Sequence, residues 1–319
     1  MFDGARWPKT GQQHRTPEAT RSGSTQLLEI ILTKTFLVTA AAGDTGSPTV
    51  RFLRERGHEV RALVRRDDER AQKLRDLGAQ VIVGDMLKLK EMRPAVDGVD
   101  GAYFCFALAE GLVEATAIFA QAAREANVQH VVNMSQKQAR PNARSQQTLN
   151  HWMAEQVLAW SGLPVTHLRV TFFAEWLLYT SHLIREGRYV TPFEADCRFS
   201  PIAGIDIAGV AAGILDNPKQ HAGQTYQLHG PVEYSHYELS QLVGKVLGRE
   251  IRFEQVAIDQ FLKLLGAEGN PSLLSHFSSV REDQREGLLR GQDSYGIEIM
   301  GRPLTTVEQF VEMNRSRFA

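Results

Sequence analysis

Along most of the chain, short apolar runs alternate with longer amphipathic stretches. Thr35-Phe36-Leu37-Val38-Thr39 is a buried-strand pattern, and Ser47 to Arg56 reads as a helix ended by Gly57. Ser47 is placed to cap that helix and Pro48 falls in its first turn, where a missing N–H costs nothing. The rhythm repeats: a strand over 58–64, a helix over 68–77 closed by Gly78, and strands at 81–83 and 102–106. A helix over about 110–126, a strand over 129–134, a helix over 149–160 and a strand over 165–170 follow. Strands alternating with helices of this length predict a parallel sheet with right-handed crossovers, and continuous apolar strands predict burial on both faces.

After Val170 the pattern loosens. It predicts helices over 173–185, 206–215 and 235–247, short strands at 226–228 and 251–256, and a mostly helical remainder broken by Gly and Pro. The expected architecture is α/β: a Rossmann-type doubly wound parallel sheet over 34–170. A smaller α+β substrate-binding part over 171–319 closes over it and returns some segments to the core. Residues 1–33 differ. Their polar stretch Gly11 to Ser24 has no period and reads as a disordered tail. The apolar Leu27 to Leu32 is short, interrupted by Glu29 and followed by no cleavage signal, which leaves the cytoplasm as the expected location.

Composition narrows the partners. Lys plus Arg is 36 and Asp plus Glu is 37, a formal net charge of -1. That balance provides no general attraction to nucleic acid or to an anionic membrane. No apolar run approaches the ~20 residues that span a bilayer. With only Cys105 and Cys197, a disulfide framework and a multi-cysteine zinc site are both excluded, and no other metal-ligand spacing occurs.

The most informative segment is Ala40-Ala41-Ala42-Gly43-Asp44-Thr45-Gly46, directly after the first strand and opening the first helix. In that position Gly43 lets backbone approach a pyrophosphate, and Gly46 lets the helix pack on the strand. The free amides of Asp44, Thr45 and their neighbours at the helix start then face the phosphates, helped by the helix dipole. Ala40-x-x-Gly43-x-x-Gly46 resembles the Gly-x-x-Gly-x-x-Gly turn of the extended and atypical short-chain dehydrogenase/reductases, most closely the NmrA-like branch. Val60-Arg61-Ala62-Leu63-Val64-Arg65, Gly84-Asp85, Ser161-Gly162-Leu163-Pro164, Phe172-Phe173-Ala174-Glu175, Ser200-Pro201-Ile202 and Asp206-Ile207-Ala208 carry the likeness from about 34 to 318. Ala40 departs from it, adding a methyl where the turn is tightest and disfavouring positive φ.

The resemblance implies a nicotinamide cofactor. NAD-specific folds place an acid at the end of the second strand, whereas here Arg65 and Arg66 stand there. A guanidinium forks onto a 2′-phosphate, so NADP is expected, with NADPH preferred over NADH. Asp85 is expected against the adenine or, alternatively, in a turn. Phe106, Ala107, Ser135, His151 and Phe172 complete the expected cofactor contacts. The family's usual catalytic pair, Tyr-x-x-x-Lys, is absent from the region. Its positions fall on Gln147 and His151, while Ser135 sits where the catalytic Ser is expected. His151 is then a candidate proton shuttle near neutral pH, a ribose hydrogen bonder, or a surface residue. Trp152, Phe173, Trp176 and Tyr179 are the expected substrate contacts, although helical spacing lets core packing account for most of them. The resemblance implies an NADPH-dependent oxidoreductase acting on a quinone, an azo compound or a similar aromatic, electron-poor acceptor. The partner it implies is a small-molecule substrate, in a monomer or homodimer; the other readings are an NADP(H) sensor without catalysis that binds a regulatory protein partner, and a biosynthetic reductase of a dedicated secondary metabolite.

Overall fold

A computed structural model describes residues 33–107 and 109–319. The tail expected over 1–33 therefore lies, but for its last residue, outside the described residues. The first half alternates without exception: β1 (Thr35–Val38), α1 (Gly46–Glu55), β2 (Glu59–Val64), α2 (Glu69–Asp76), β3 (Gln80–Val83), α3 (Leu89–Val96), β4 (Gly101–Phe104), α4 (Leu112–Glu125), β5 (His130–Gln136), α5 (Gln146–Ser161) and β6 (Val165–Val170). There follow α6 (Trp176–Tyr179), α7 (Ser181–Arg185), β7 (Arg188–Thr191), β8 (Arg198–Phe199), α8 (Gly204–Asp216), β9 (Thr225–Leu228) and β10 (Tyr234–Ser235). The chain ends with α9 (His236–Leu247), β11 (Arg252–Gln255), α10 (Ile258–Leu264), α11 (Pro271–Arg285), α12 (Tyr295–Met300), α13 (Val307–Met313) and α14 (Arg315–Phe318).

Seven strands form one sheet in the order β3-β2-β1-β4-β5-β6-β9, every pair parallel. Alternate side chains of a strand serve opposite faces. Phe36 and Val38 pack with Val50, Leu53, Val210 and Ile214 on one face. Leu37 packs with Met92, Phe104, Phe119 and Leu158 on the other. A third core, containing Leu177, Phe199, Leu239, Phe277 and Phe310, belongs to the later segments. Two segments of the second half return to the sheet, as expected: α8 packs beside α1, and β9 extends the sheet next to β6.

Several local expectations need correction. The first helix starts at Gly46, with Thr45 rather than Ser47 at its cap, and no side chain caps it. Thr45 is turned inward, where its Oγ1 accepts the Tyr103 hydroxyl at 2.9 Å. The continuous helix expected over 173–185 does not form. Phe172 to Ala174 instead run extended beside Ile202, with Ile202 N donating to Phe172 O and Ala174 N to Ile202 O, both at 2.9 Å. Only the two short helices α6 and α7 remain of it. The helix α3 was not foreseen: Pro94 lies inside it, yet Met92, Ala95 and Val96 still give it a buried face. The fifth helix begins earlier than expected because Ser145 caps it, accepting the Thr148 amide.

Candidate active site

The sheet order reverses between β1 and β4, and in such sheets the crevice beyond the carboxyl ends of the strands is the natural ligand site. Thr39 ties the two strand ends together: its Oγ1 donates to Cys105 O and accepts from Cys105 N, each at 2.8 Å. The chain then turns sharply at Ala40, which adopts φ +46°. That left-handed conformation is the one for which an alanine is poorly suited, so the departure seen in the motif is carried as backbone strain. Gly46 cannot be replaced without moving backbone, because a Cβ there would lie 2.3 Å from Ala40 O. Gly43 has more room, with Ala40 O at 3.2 Å from such an atom. Ser47 N is satisfied by Gly43 O, but the amides of Asp44, Thr45 and Gly46 have no acceptor among the described residues. Three free donors at the start of a ten-residue helix make an anion cradle.

From this turn a cleft of about 520 Å³ runs past the ends of β4, β5 and β6. Ala40, Gly43, Asp44 and Thr45 form its end at the glycine turn, and Phe106, Ala107, Ser135 and His151 its middle. Phe172, Phe173, Trp176 and Tyr179 form its far wall. The sequence reading thus brings together residues from four strand ends and α5. Phe172 also makes edge contacts with Trp176, Phe193 and Phe199, so the wall belongs at the same time to the core behind it. Across the entrance the Tyr179 hydroxyl donates to Asp44, linking α6 to the phosphate turn.

The polar groups of the cleft have unequal freedom. Ser135 Oγ donates to Glu155 Oε1 at 2.6 Å, and Glu155 is paired with Arg169 at 2.6 Å, so the hydroxyl proton is already committed. His151 is only 8 % exposed, which corrects the surface reading of this residue. Burial, reinforced by the neighbouring His276, pushes its pKa down to about 4. It is therefore a neutral imidazole rather than a neutral-pH shuttle, and neither ring nitrogen has a partner among the described residues. Gln147 faces away, donating to Ser272 Oγ of α11 at 3.0 Å. Cys105 lines the cleft as an inert thiol, pushed up to about 11 by burial.

Other candidates stand apart from the cleft. Arg65 and Arg66 are exposed at the end of β2 and have no partner among the described residues. Asp85 has the turn-forming role, its Oδ1 accepting the Leu87 amide at 3.0 Å. Trp152 does not line the cleft: it is one step, roughly 100°, around α5 from His151, and half-buried elsewhere. Several contributors escaped the sequence. His276, Val280 and Leu289 reach the cleft from the α11 region, and no local motif marks them. Glu175, buried beside the turn, accepts Gly204 N with both oxygens at 2.9 and 3.1 Å. Burial pushes its pKa up to about 7 despite those bonds. Among the described residues no cluster of His, Cys, Asp or Glu is arranged to hold a metal, and no helix is long and apolar enough to cross a membrane.

The chain is 29% identical over 286 residues to an NAD(P)H azoreductase of Xenophilus azovorans, covering 88% of this chain and 98% of that one. Its fold matches an NADPH-dependent quinone oxidoreductase of Escherichia coli, in complex with NADPH, with a TM-score of 0.76, 21% identity and coverage of 88% and 99%. It also matches a Citrobacter triphenylmethane reductase in complex with NADP(H), with a TM-score of 0.75, 21% identity and coverage of 87% and 99%. The NmrA-like family model spans residues 32–311, nearly all of the sheet, the glycine turn and the segments that close the cleft, and this chain belongs to the NmrA-like family.

Proposed function

We propose that this protein is an NADPH-dependent oxidoreductase that reduces a small, aromatic, electron-poor acceptor such as a quinone or an azo compound. The observation that carries the reading is the single cleft that joins an amide cradle for a diphosphate to an aromatic wall with buried, unpartnered imidazole. Similarity to an azoreductase over nearly the whole of both chains supports the reductive chemistry. In this reading residues 34–170 hold most of the nucleotide and 171–319 most of the acceptor side.

The residues present fit the nucleotide. The amides of Asp44, Thr45 and Gly46 donate to the diphosphate, and the glycine at 46 keeps the helix close enough for them to reach it. Arg65, with Arg66 beside it, forks onto the 2′-phosphate, which selects NADPH over NADH. Ser135, whose O–H is engaged in donating to Glu155, presents lone pairs and accepts from a ribose hydroxyl. His151 offers one donor and one acceptor to the same sugar. When bound, the nicotinamide supplies hydride chemistry. The protein's part is to set the acceptor flat against Phe172, Trp176 and Tyr179 and to leave water able to deliver the proton. No side chain here needs to be a strong general acid.

The test is acceptor-dependent NADPH oxidation across a panel of quinones, azo dyes, enones and imines. Steady turnover with at least one class is expected. NADPH binding by calorimetry with no turnover on any class would leave a nucleotide-binding protein that is not a reductase.

A further inference from the structure

The cleft contains a second imidazole whose tautomer can be worked out from its neighbours. His276, carried by α11, lies with Nδ1 2.7 Å from Ser145 Oγ. Ser145 caps α5, and its oxygen already accepts the Thr148 amide at 3.4 Å. The hydroxyl still has one proton to place. Ser145 is 1 % exposed, so bulk water does not take that proton, and among the described residues His276 Nδ1 is its only acceptor. Nδ1 is therefore bare. Burial pushes the His276 pKa down to about 4, so the ring is neutral at ordinary pH and its single N–H sits on Nε2. Nε2 has no partner among the described residues, while the ring lines the same cleft as His151. At 8 % exposure this is a buried, preorganised donor facing the cleft without a protein acceptor.

Several contacts hold α11 in that position. Asp283, fully buried on the same helix, pairs with Arg140 at 2.6 Å and Arg144 at 3.2 Å, both from the loop before α5. Gln147 donates to Ser272 near the start of α11. The donor is thus fixed relative to α5 and His151 rather than carried on a free loop.

We infer that the Nε2–H of His276 binds the heteroatom of the acceptor that gathers negative charge during reduction: the carbonyl oxygen of a quinone or a nitrogen of an azo group. The inference rests on the reductase reading and names what holds the acceptor in it. The balance for a quinone is quinone plus NADPH plus a proton giving hydroquinone plus NADP+, and an azo group takes the same hydride and proton to give the hydrazine. The hydride brings two electrons and one hydrogen, and the second hydrogen arrives as a proton from water. His276 keeps its own proton throughout and only stabilises charge as it develops. A preorganised donor of this kind is worth about 100-fold in rate.

The experiment compares His276→Phe with His276→Gln on three acceptors. Phenylalanine keeps the ring volume and removes the N–H, and glutamine places an amide N–H near the same point. Quinone and azo turnover should fall about 100-fold in His276→Phe and recover at least tenfold of that in His276→Gln, with NADPH affinity unchanged in both. A cationic triarylmethane dye takes hydride at carbon and becomes neutral, so no heteroatom gathers negative charge, and its reduction should change less than about twofold. Where the wild type does not turn over the dye, the contrast between Phe and Gln decides. Equal losses on all acceptors, or no loss on quinone and azo compounds, would overturn the inference. Nitrogen NMR of labelled histidine reads the tautomer directly, expecting a bare Nδ1, and a protonated Nδ1 would overturn it while leaving the reductase reading intact. A wild type inactive on every acceptor would bring down the reductase reading first.

Discussion

At the end of the cleft proposed for the diphosphate, consecutive residues make the site with their backbone, whereas at the end proposed for the acceptor side chains from α5, from the segment after β6 and from α11 converge. The first arrangement is local. Its donors are amides whose direction follows from one tight turn and one helix start, so it depends on φ, on the absence of a Cβ at Gly46, and on little else. The second is assembled by tertiary structure. Ser145 and His276 are 131 positions apart in sequence and become a hydrogen-bonded unit only because α11 packs on α5. A backbone site tolerates most side-chain changes and fails abruptly at a glycine. A side-chain site degrades residue by residue and fails through its supports.

The sharpest test of that contrast is Gly46→Val. Its added atoms meet Ala40 O and the Ala41 backbone, so NADPH binding measured by calorimetry should be lost, with a stability cost of about 3 kcal/mol. Retained binding would mean that the turn is not the phosphate site. Next is Glu175→Gln. The folded-state pKa of about 7 lies above the ordinary glutamate value of 4.5, so the folded protein holds this proton more tightly than the unfolded chain. Stability is therefore lost as pH rises from about 4.5 to about 7, because the carboxyl must ionise while buried beside Asp44 and Asp206. The glutamine variant should flatten that part of the melting-temperature profile and be more stable above pH 7 by roughly 2 kcal/mol. An unchanged profile would show that Glu175 does not titrate there.

Asp283→Asn attacks the acceptor end through its support. Removing the charge that pairs Arg140 and Arg144 should cost about 2 kcal/mol and raise the acceptor KM, while NADPH affinity stays within about twofold. Equal damage to both ligands would erase the distinction between the two ends. Arg65→Ala should weaken NADPH about tenfold and NADH hardly at all, since only the former carries the 2′-phosphate. Equal losses would contradict that assignment. The smallest effect belongs to Ala40→Gly. Relieving φ +46° should stabilise the fold by about 1 kcal/mol in a thermal melt, and a loss of stability would mean that the alanine methyl packs usefully.

Much of the architecture was legible because its signals are local. The alternation of apolar runs and amphipathic stretches located β1 to β6 to within a few residues, and the glycine spacing located the turn. The failures were also physical. Ser47 looked like a cap, but Thr45 occupies that position and is held inward by Tyr103 from β4, a partner 58 positions away. The helix expected over 173–185 gave way to extended pairing with Ile202, which no periodicity within the segment encodes. Trp152 and His151 are adjacent, yet which of them enters the cleft is decided by how α5 is rotated against its neighbours.

From local signals alone came the parallel sheet, the order of its elements, the glycine turn after β1 and the arginines beyond β2, because each follows from near-neighbour sterics, periodicity or charge. Tertiary structure decided the rest. It made His151 neutral, committed the Ser135 proton to Glu155, lifted the Glu175 pKa, and brought His276 over the cleft with its tautomer set by Ser145. Burial and hydrogen-bond partnership are properties of packed neighbours, and the neighbours that matter here are far apart along the chain.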